Sequence, residues 1–282
     1  MPPLPPSRPS RLPGWGEALA ILVAYFLYEW ARARVSGSPA DAARNARQVV
    51  AAERALGIFH EATVQGWFLG RQTFLRAWDV YYGTVHFVGP VVVLAWLWRR
   101  RPKRYRRWRN TLVATGLVAL VAFALYPVLP PRLLPTHFGF VDIAARYGGL
   151  GPLGQPPAKG MDNPYAAMPS LHVGWATWCA CVLVSALRRR WIKVLAVAYP
   201  FVTLFAVVVT ANHYVLDGVG GVAALALGWA AATALSRRSR PACRPPRGGS
   251  PRTPPPSPPA RPAPTGTAPV RPAPPVPRPP PA

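Results

Sequence analysis

The chain predicts an all-α integral membrane fold: a six-helix bundle with an interfacial amphipathic helix and a disordered, proline-rich C-terminal tail. Three observations carry this. Just over half of the 282 residues are hydrophobic, at 51%, and they fall into long, nearly charge-free blocks rather than into the short period of a soluble helix or strand. The 38 prolines concentrate at the two ends. Short runs of arginine flank the apolar blocks, as they do beside membrane-spanning helices. The expected organisation is a disordered N-terminus over 1–13, a six-span domain over 14–236 and a disordered Pro/Arg-rich tail over 237–282.

The first span runs from about Trp15 to Trp30, bounded by Glu17 and Glu29. It is short for a hydrocarbon core of ~30 Å. It lacks a clear small-residue cleavage site, so it reads as an uncleaved span rather than a signal peptide. Asp41 to Leu69 carries Val49, Val50, Leu56, Ile58, Phe59 and Val64 among charges, the pattern of an amphipathic helix lying on the membrane or packing over the bundle. Further spans follow at about Val80–Trp98, Thr111–Tyr126, Leu171–Leu187, Ile192–Thr210 and Val215–Leu235. A Pro- and Gly-rich loop, Pro127 to Pro169, separates the third from the fourth. In lipid, only a helix satisfies every backbone group over runs of this length.

The net charge of +24 does not point to nucleic acid. Its basic residues sit mostly in short runs beside the apolar blocks and in the tail. The runs Arg99–Arg109, Arg188–Lys193 and Ser236–Arg240 share one side of a six-span arrangement and decide the orientation over the longer, partly acidic segment Arg32 to Arg76 on the other. The positive-inside rule makes the side of the short runs, and both termini, cytoplasmic, with anionic lipid headgroups as the acidic partner. A plasma-membrane, multi-pass location is expected. Three cysteines, Cys179, Cys181 and Cys243, build neither a disulfide framework nor a paired-cysteine metal motif. The 11 tryptophans read as an interfacial belt rather than a cofactor box. The expectation is a site without metal or cofactor.

Two stretches place ionisable groups at span ends on the other, non-cytoplasmic face. PSLH, Pro169 to His172, opens the fourth span, and NHYVLDGVGG, Asn212 to Gly221, opens the sixth. His213 and Asp217 are four apart and share a helical face. A carboxylate within reach of one ring nitrogen would fix the tautomer and leave the other free to attack or to take a proton. Gly218, Gly220 and Gly221 allow another helix to approach closely. Ser170 suits a helix cap or a hydroxyl donor, beside free N–H groups that attract phosphate. His172, in the first turn, is placed to protonate a leaving oxygen.

These stretches resemble the later signature motifs of the type 2 phosphatidic acid phosphatase superfamily of lipid phosphatases and phosphotransferases, over roughly Tyr81 to Leu235. The resemblance implies that His213 attacks phosphorus to form a phosphohistidine, that Asp217 orients it, that His172 protonates the leaving group and that Ser170 contacts phosphate. The substrate it implies is a lipid phosphate ester. The phosphatase branch carries a Lys-then-Arg-Pro motif that is missing here. An arginine six residues before the nucleophile is replaced by Val207, and the glycine between serine and histidine by Leu171. Together with NPYAAMPSLH, these departures make the chain similar to the inositol phosphorylceramide synthase-like (inositolphosphotransferase) branch. Arg132 in LPPRLLP is the expected phosphate clamp, with Lys159 a weaker one; Asn212 would support the site.

Blander roles compete. His86, inside the second span, suits a helix–helix hydrogen bond or a place in the site. His60 and His137 default to the surface, and Tyr214 either supports the site beside Asn212 or anchors the chain at the interface. Paired histidines on neighbouring spans can also ligate haem, and a non-catalytic membrane protein is the plainest alternative. Neither explains why one histidine carries a carboxylate partner at a helix end. Water and a second alcohol stay open as acceptors, and so does the oligomeric state.

Overall fold

The protein is described by a computed structural model covering residues 14–35, 37–148 and 163–238. The expected disorder over 1–13 and in the tail beyond residue 238 therefore lies outside the described residues, as does Lys159. Nine α-helices occur among the described residues: α1 (Gly14–Arg34), α2 (Pro39–Ala55), α3 (Glu61–Gly66), α4 (Gln72–Arg100), α5 (Pro102–Leu125), α6 (Ile143–Tyr147), α7 (Leu171–Ala186), α8 (Arg190–Val209) and α9 (Val215–Arg238).

Four of these, α4, α5, α8 and α9, are long and apolar enough to cross a membrane. They contain the expected second, third, fifth and sixth spans. The fourth is the apolar but shorter α7, 16 residues and so about 24 Å long at 1.5 Å per residue. The first lies within α1, which is not among the four; Glu17, Glu29, Arg32 and Arg34 shorten its apolar stretch. Leu22, Phe26 and Leu27 of α1, Val88, Val91 and Val92 of α4, Leu117 and Val121 of α5, Leu195 and Phe201 of α8, and Leu227 of α9 all face outward. So much exposed aliphatic surface suits a lipid environment rather than water.

α7 is the hub, packing against α4, α5, α8 and α9. Small residues set how closely these helices approach. A Cβ on Gly221 would lie 2.2 Å from the Ser170 carbonyl oxygen, and one on Gly228 would lie 2.6 Å from the Thr115 backbone nitrogen. Glycine at both positions therefore brings α9 into backbone contact with α7 and α5. At the far end of α7, Arg104 donates to Ser185 O (2.6 Å) and Arg101 to Ala186 O (3.5 Å). The basic α4–α5 loop thus sits at the end of α7 opposite Ser170 and His172, and supplies donors to carbonyls that the helix leaves unpaired.

The expected single helix over Asp41–Leu69 is two. Ser38 caps α2 by accepting from Asp41 N (3.0 Å), with Pro39 in the first turn. The helix ends because Gly57 takes a left-handed φ of 69°, and α3 starts four residues later. The pair packs over the loop end of the bundle. Ala46, Val49 and Val50 join Val128, Leu134, Phe140, Ala167, Ala211 and Tyr214 in one buried cluster. Gln65, fully buried, accepts from Val141 N (2.9 Å) and donates to Val141 O (2.9 Å), stitching α3 to the loop before α6.

Glycines 220 and 221 generate a paired prediction. Gly221→Ala forces a methyl group against backbone and should cost about 1–3 kcal/mol by overpacking. At Gly220 the nearest atom to an added Cβ is 3.4 Å away, so Gly220→Ala should be neutral or gain up to about 1 kcal/mol of helix propensity. Thermal unfolding of both variants in detergent checks this, and equal midpoints would contradict the close α7–α9 contact.

Candidate active site

The site is built where α8 ends and α9 begins. After α8, Ala211 adopts a left-handed φ of 54°, uncommon for a residue with a Cβ. The turn is held from three sides. Asn212 N and His213 N both donate to Val207 O (2.9 and 3.3 Å), and Arg132 N donates to Ala211 O (2.9 Å). The expected clamp Arg132 is itself engaged. Its Nε donates to Asn212 Oδ1 (2.8 Å), and its guanidinium pairs with Asp142 at 3.4 Å. Asn212 in turn donates to Thr210 Oγ1 (2.9 Å). Arg132 therefore fixes the residue before His213, in addition to any contact it makes with a phosphate.

Asp217 is the third residue of α9, and its Oδ2 accepts from Tyr214 N (2.9 Å), the acidic half of a capping box. The same oxygen lies 3.3 Å from His213 Nδ1. His213 Nδ1 also lies 2.8 Å from the Ala167 carbonyl. A carbonyl only accepts, so the proton sits on Nδ1, shared between Ala167 O and Asp217, and Nε2 keeps its lone pair. Asp217 is fully buried and His213 nearly so, at 0% and 4% exposure.

α7 supplies the facing group. Ser170 N donates to Asp217 O (2.8 Å), tying the two helix starts together, and Gly174 N donates to Ser170 O (3.0 Å) in the first turn of α7. Ser170 occupies the N-cap position of α7, but its hydroxyl makes no capping bond. It is instead fully buried, and among the described residues its Oγ has no hydrogen-bond partner, nor has His172 Nε2. The expected capping role of the Ser170 side chain is thus corrected: the backbone starts the helix and the hydroxyl is left over. Buried polar atoms without partners are costly, and one of these two belongs to the ring that neighbours that of His213. The His172 and His213 ring centroids are 5.3 Å apart.

α4 closes the side. Tyr82 stacks on His172 at 4.2 Å with planes 16° apart, and the His86 ring lies 3.9 Å from that of His172. His86 Nδ1 bonds the Tyr82 carbonyl of its own helix (2.8 Å). It belongs to the wall of the site, not to a helix–helix bond. Tyr214 is fully buried with its hydroxyl donating to Leu129 O (3.1 Å), so the anchoring reading fails there. His60 and His137 are exposed.

Sequence reasoning missed two further groups. Glu53 of α2 and Glu61 of α3, 0% and 1% exposed, accept from the first backbone amides of α9: Leu216 N to Glu53 Oε1 (2.8 Å) and Val215 N to Glu61 Oε1 (3.1 Å). The signal was present for Glu53, which follows Ala46, Val49 and Val50 on the buried face of its helix. A carboxylate at an apolar-face position asks for a buried donor.

Among the described residues, no group of three or more His, Cys, Asp and Glu side chains is arranged to hold a metal ion. No curated protein and no solved structure matches the chain. A family model described as the PAP2 superfamily matches residues 47–231, a span that includes every side chain of the site just described. The chain belongs to the PAP2 superfamily.

Proposed function

We propose that this chain transfers the phosphoryl group of a lipid phosphate ester through a phosphohistidine on His213. The observation that carries the reading is the pair of imidazoles 5.3 Å apart, one with a carboxylate 3.3 Å behind it. Membership of the PAP2 superfamily supports lipid phosphatase-type phosphoryl transfer.

In the first step the Nε2 lone pair of His213 forms a bond to phosphorus as the ester P–O bond breaks. The Nδ1 proton stays with Ala167 O and Asp217, which stabilise the positive charge that develops on the ring. His172 gives a proton to the departing alkoxide, which leaves as the alcohol. In the second step water or a second alcohol gives its proton to His172 as its oxygen attacks phosphorus, and the P–N bond breaks. The Ser170 hydroxyl, the first amides of α7 and Arg132 offset the charge on the phosphoryl oxygens. Tyr82, stacked on His172, holds that ring in place.

The finer reading is a headgroup phosphotransferase of the inositol phosphorylceramide synthase-like branch. Val207 supports it: the position where the phosphatase branch has an arginine is here a fully buried valine whose carbonyl organises the turn before His213. The basic loop at the far end of α7 supports a site on the extracytoplasmic face of the plasma membrane with both termini cytoplasmic.

Purified protein in detergent, given a panel of lipid phosphates with a chelator present, tests the function. Phosphate release without an added acceptor identifies a phosphatase, and a new lipid formed only with an acceptor alcohol identifies a transferase. His213→Ala should lower either rate about a thousandfold or more; a rate within about tenfold of the parent rejects the nucleophile. His172→Ala should lose about a hundredfold or more on an alkyl phosphate ester. It should lose far less on an aryl ester whose leaving group needs no proton, and equal losses on both would remove His172 as the acid.

A further inference from the structure

We propose that Glu53 and Glu61 form a carboxyl–carboxylate clamp on the first turn of α9, positioning His213 and Asp217, and that the clamp opens when its proton is lost. The inference rests on the reading of His213 as the nucleophile, but its structural half stands apart from that reading.

Two acidic side chains from two different helices reach the same helix start. Glu53 Oε1 and Glu61 Oε1 take the amides of Leu216 and Val215, and Asp217 Oδ2 takes that of Tyr214. Three consecutive N–H groups that helix geometry leaves unpaired are thereby satisfied by three buried carboxyl groups. The second oxygens, Glu53 Oε2 and Glu61 Oε2, are buried with no hydrogen-bond partner of their own among the described residues. The helix dipole favours negative charge at this end, with about half a unit of positive charge to offset. Three full negative charges in one dry pocket exceed that, so the pocket favours keeping a proton on one of them.

The groups facing Glu53 agree. Asp217 from α9 and Glu61 from α3 are both acidic, and both act to disfavour its charge. Tyr214, on the turn before α9, is neutral and committed to Leu129 O. Arg54, next along α2, lies over the Phe59 and Phe138 rings at 5.0 and 5.9 Å. Burial first, and Glu61 second, push the Glu53 carboxyl up from an ordinary 4.5 to about 9. The folded-state value lies above the ordinary one, so the folded chain holds this proton more tightly than an unfolded chain does. Stability is therefore greatest below the ordinary value and falls as pH rises through the folded one.

A cap alone would be served by one carboxylate, or by a serine or asparagine. Two glutamates from separate helices, converging on adjacent amides, also fasten α2 and α3 to the turn that carries His213. When the proton leaves, Glu53 and Glu61 repel each other and Asp217, the first turn of α9 loosens, and His213 loses its alignment with His172.

The test uses the full chain in detergent and two readouts. The first is amide protection of Val215 and Leu216 by hydrogen exchange, corrected for intrinsic rate, from about pH 7 to about pH 10. In the parent chain protection should fall about tenfold or more through the upper part of that range. In Glu53→Gln it should stay level, because the amide keeps an acceptor for Leu216 N and remains neutral. The second readout is the pH profile of lipid phosphate turnover. The parent should lose kcat on the alkaline side with little change in KM. Glu53→Gln should keep its neutral-pH rate to within about threefold and lose that alkaline limb.

Level protection in the parent chain, or an unchanged fall in Glu53→Gln, overturns the clamp whatever the enzyme does. A titrating clamp with no turnover on any lipid phosphate leaves the clamp standing and counts against the proposed function instead. A clamp that titrates in exchange while the alkaline limb persists in Glu53→Gln overturns its role in positioning His213.

Discussion

Helix α9 begins inside the protein, and an unpaired backbone N–H buried away from water costs about 1–3 kcal/mol. That requirement organises much of the molecule. The amides of Tyr214, Val215 and Leu216 are met by Asp217, Glu61 and Glu53, drawn from α9, α3 and α2. Satisfying one helix end thus recruits the amphipathic pair that packs over the bundle, and fixes the turn that bears His213. The same Asp217 oxygen that closes the cap also lies behind the imidazole, so the local folding signal and the arrangement of the reactive ring share one atom. Asp217 cannot be assigned to structure or to chemistry alone.

The second constraint is closeness. Ser170 N reaches Asp217 O only because Gly221 leaves room for the Ser170 carbonyl. This contact brings the start of α7 beside the start of α9 and sets His172 opposite His213. Around that pair the polar atoms divide in two. Those that hold the backbone, in Asn212, Tyr214 and Arg132, are hydrogen-bonded. Ser170 Oγ and His172 Nε2, which would meet a phosphate and a leaving oxygen, have no hydrogen-bond partner among the described residues. The division is what a preorganised site for an anion requires: rigid support behind, and unspent hydrogen-bonding capacity in front.

Much of this was legible in the chain, for identifiable reasons. The apolar blocks had the length and lack of charge that helices in lipid demand, and their edges fall within three residues of those of α8 and α9. Helices α4 and α5 begin eight and nine residues before their blocks, because a helix continues through the polar residues that flank its apolar stretch. His213 and Asp217 were readable as a pair because a spacing of four is a face. Gly221 was readable as a contact because small residues mark close helix approach. Other features depend on partners distant in sequence. Glu53 and Glu61 looked like the polar face of an interfacial helix, since nothing local shows that the amides of Val215 and Leu216 lie within reach. Gly57 splits that segment in two, a break that a reading by hydrophobic period alone passes over. Tyr82 and His86 sit in an apolar block, and only the packing of α4 on α7 turns them toward His172. The tail, for all its distinctive composition, lies outside the described residues.

The central claim is that the bare nitrogen of His213 becomes covalently bonded to phosphorus. Rapid alkaline quenching during turnover of a lipid phosphate labelled at phosphorus, followed by peptide mapping, tests it directly. A phosphorus–nitrogen bond on histidine withstands alkali and breaks in acid, unlike a serine or aspartyl phosphate. The account predicts an alkali-stable, acid-labile label on the peptide containing His213, absent from His213→Ala. Label on another residue, label that survives in His213→Ala, or steady turnover with no labelled protein at any quench time would contradict it.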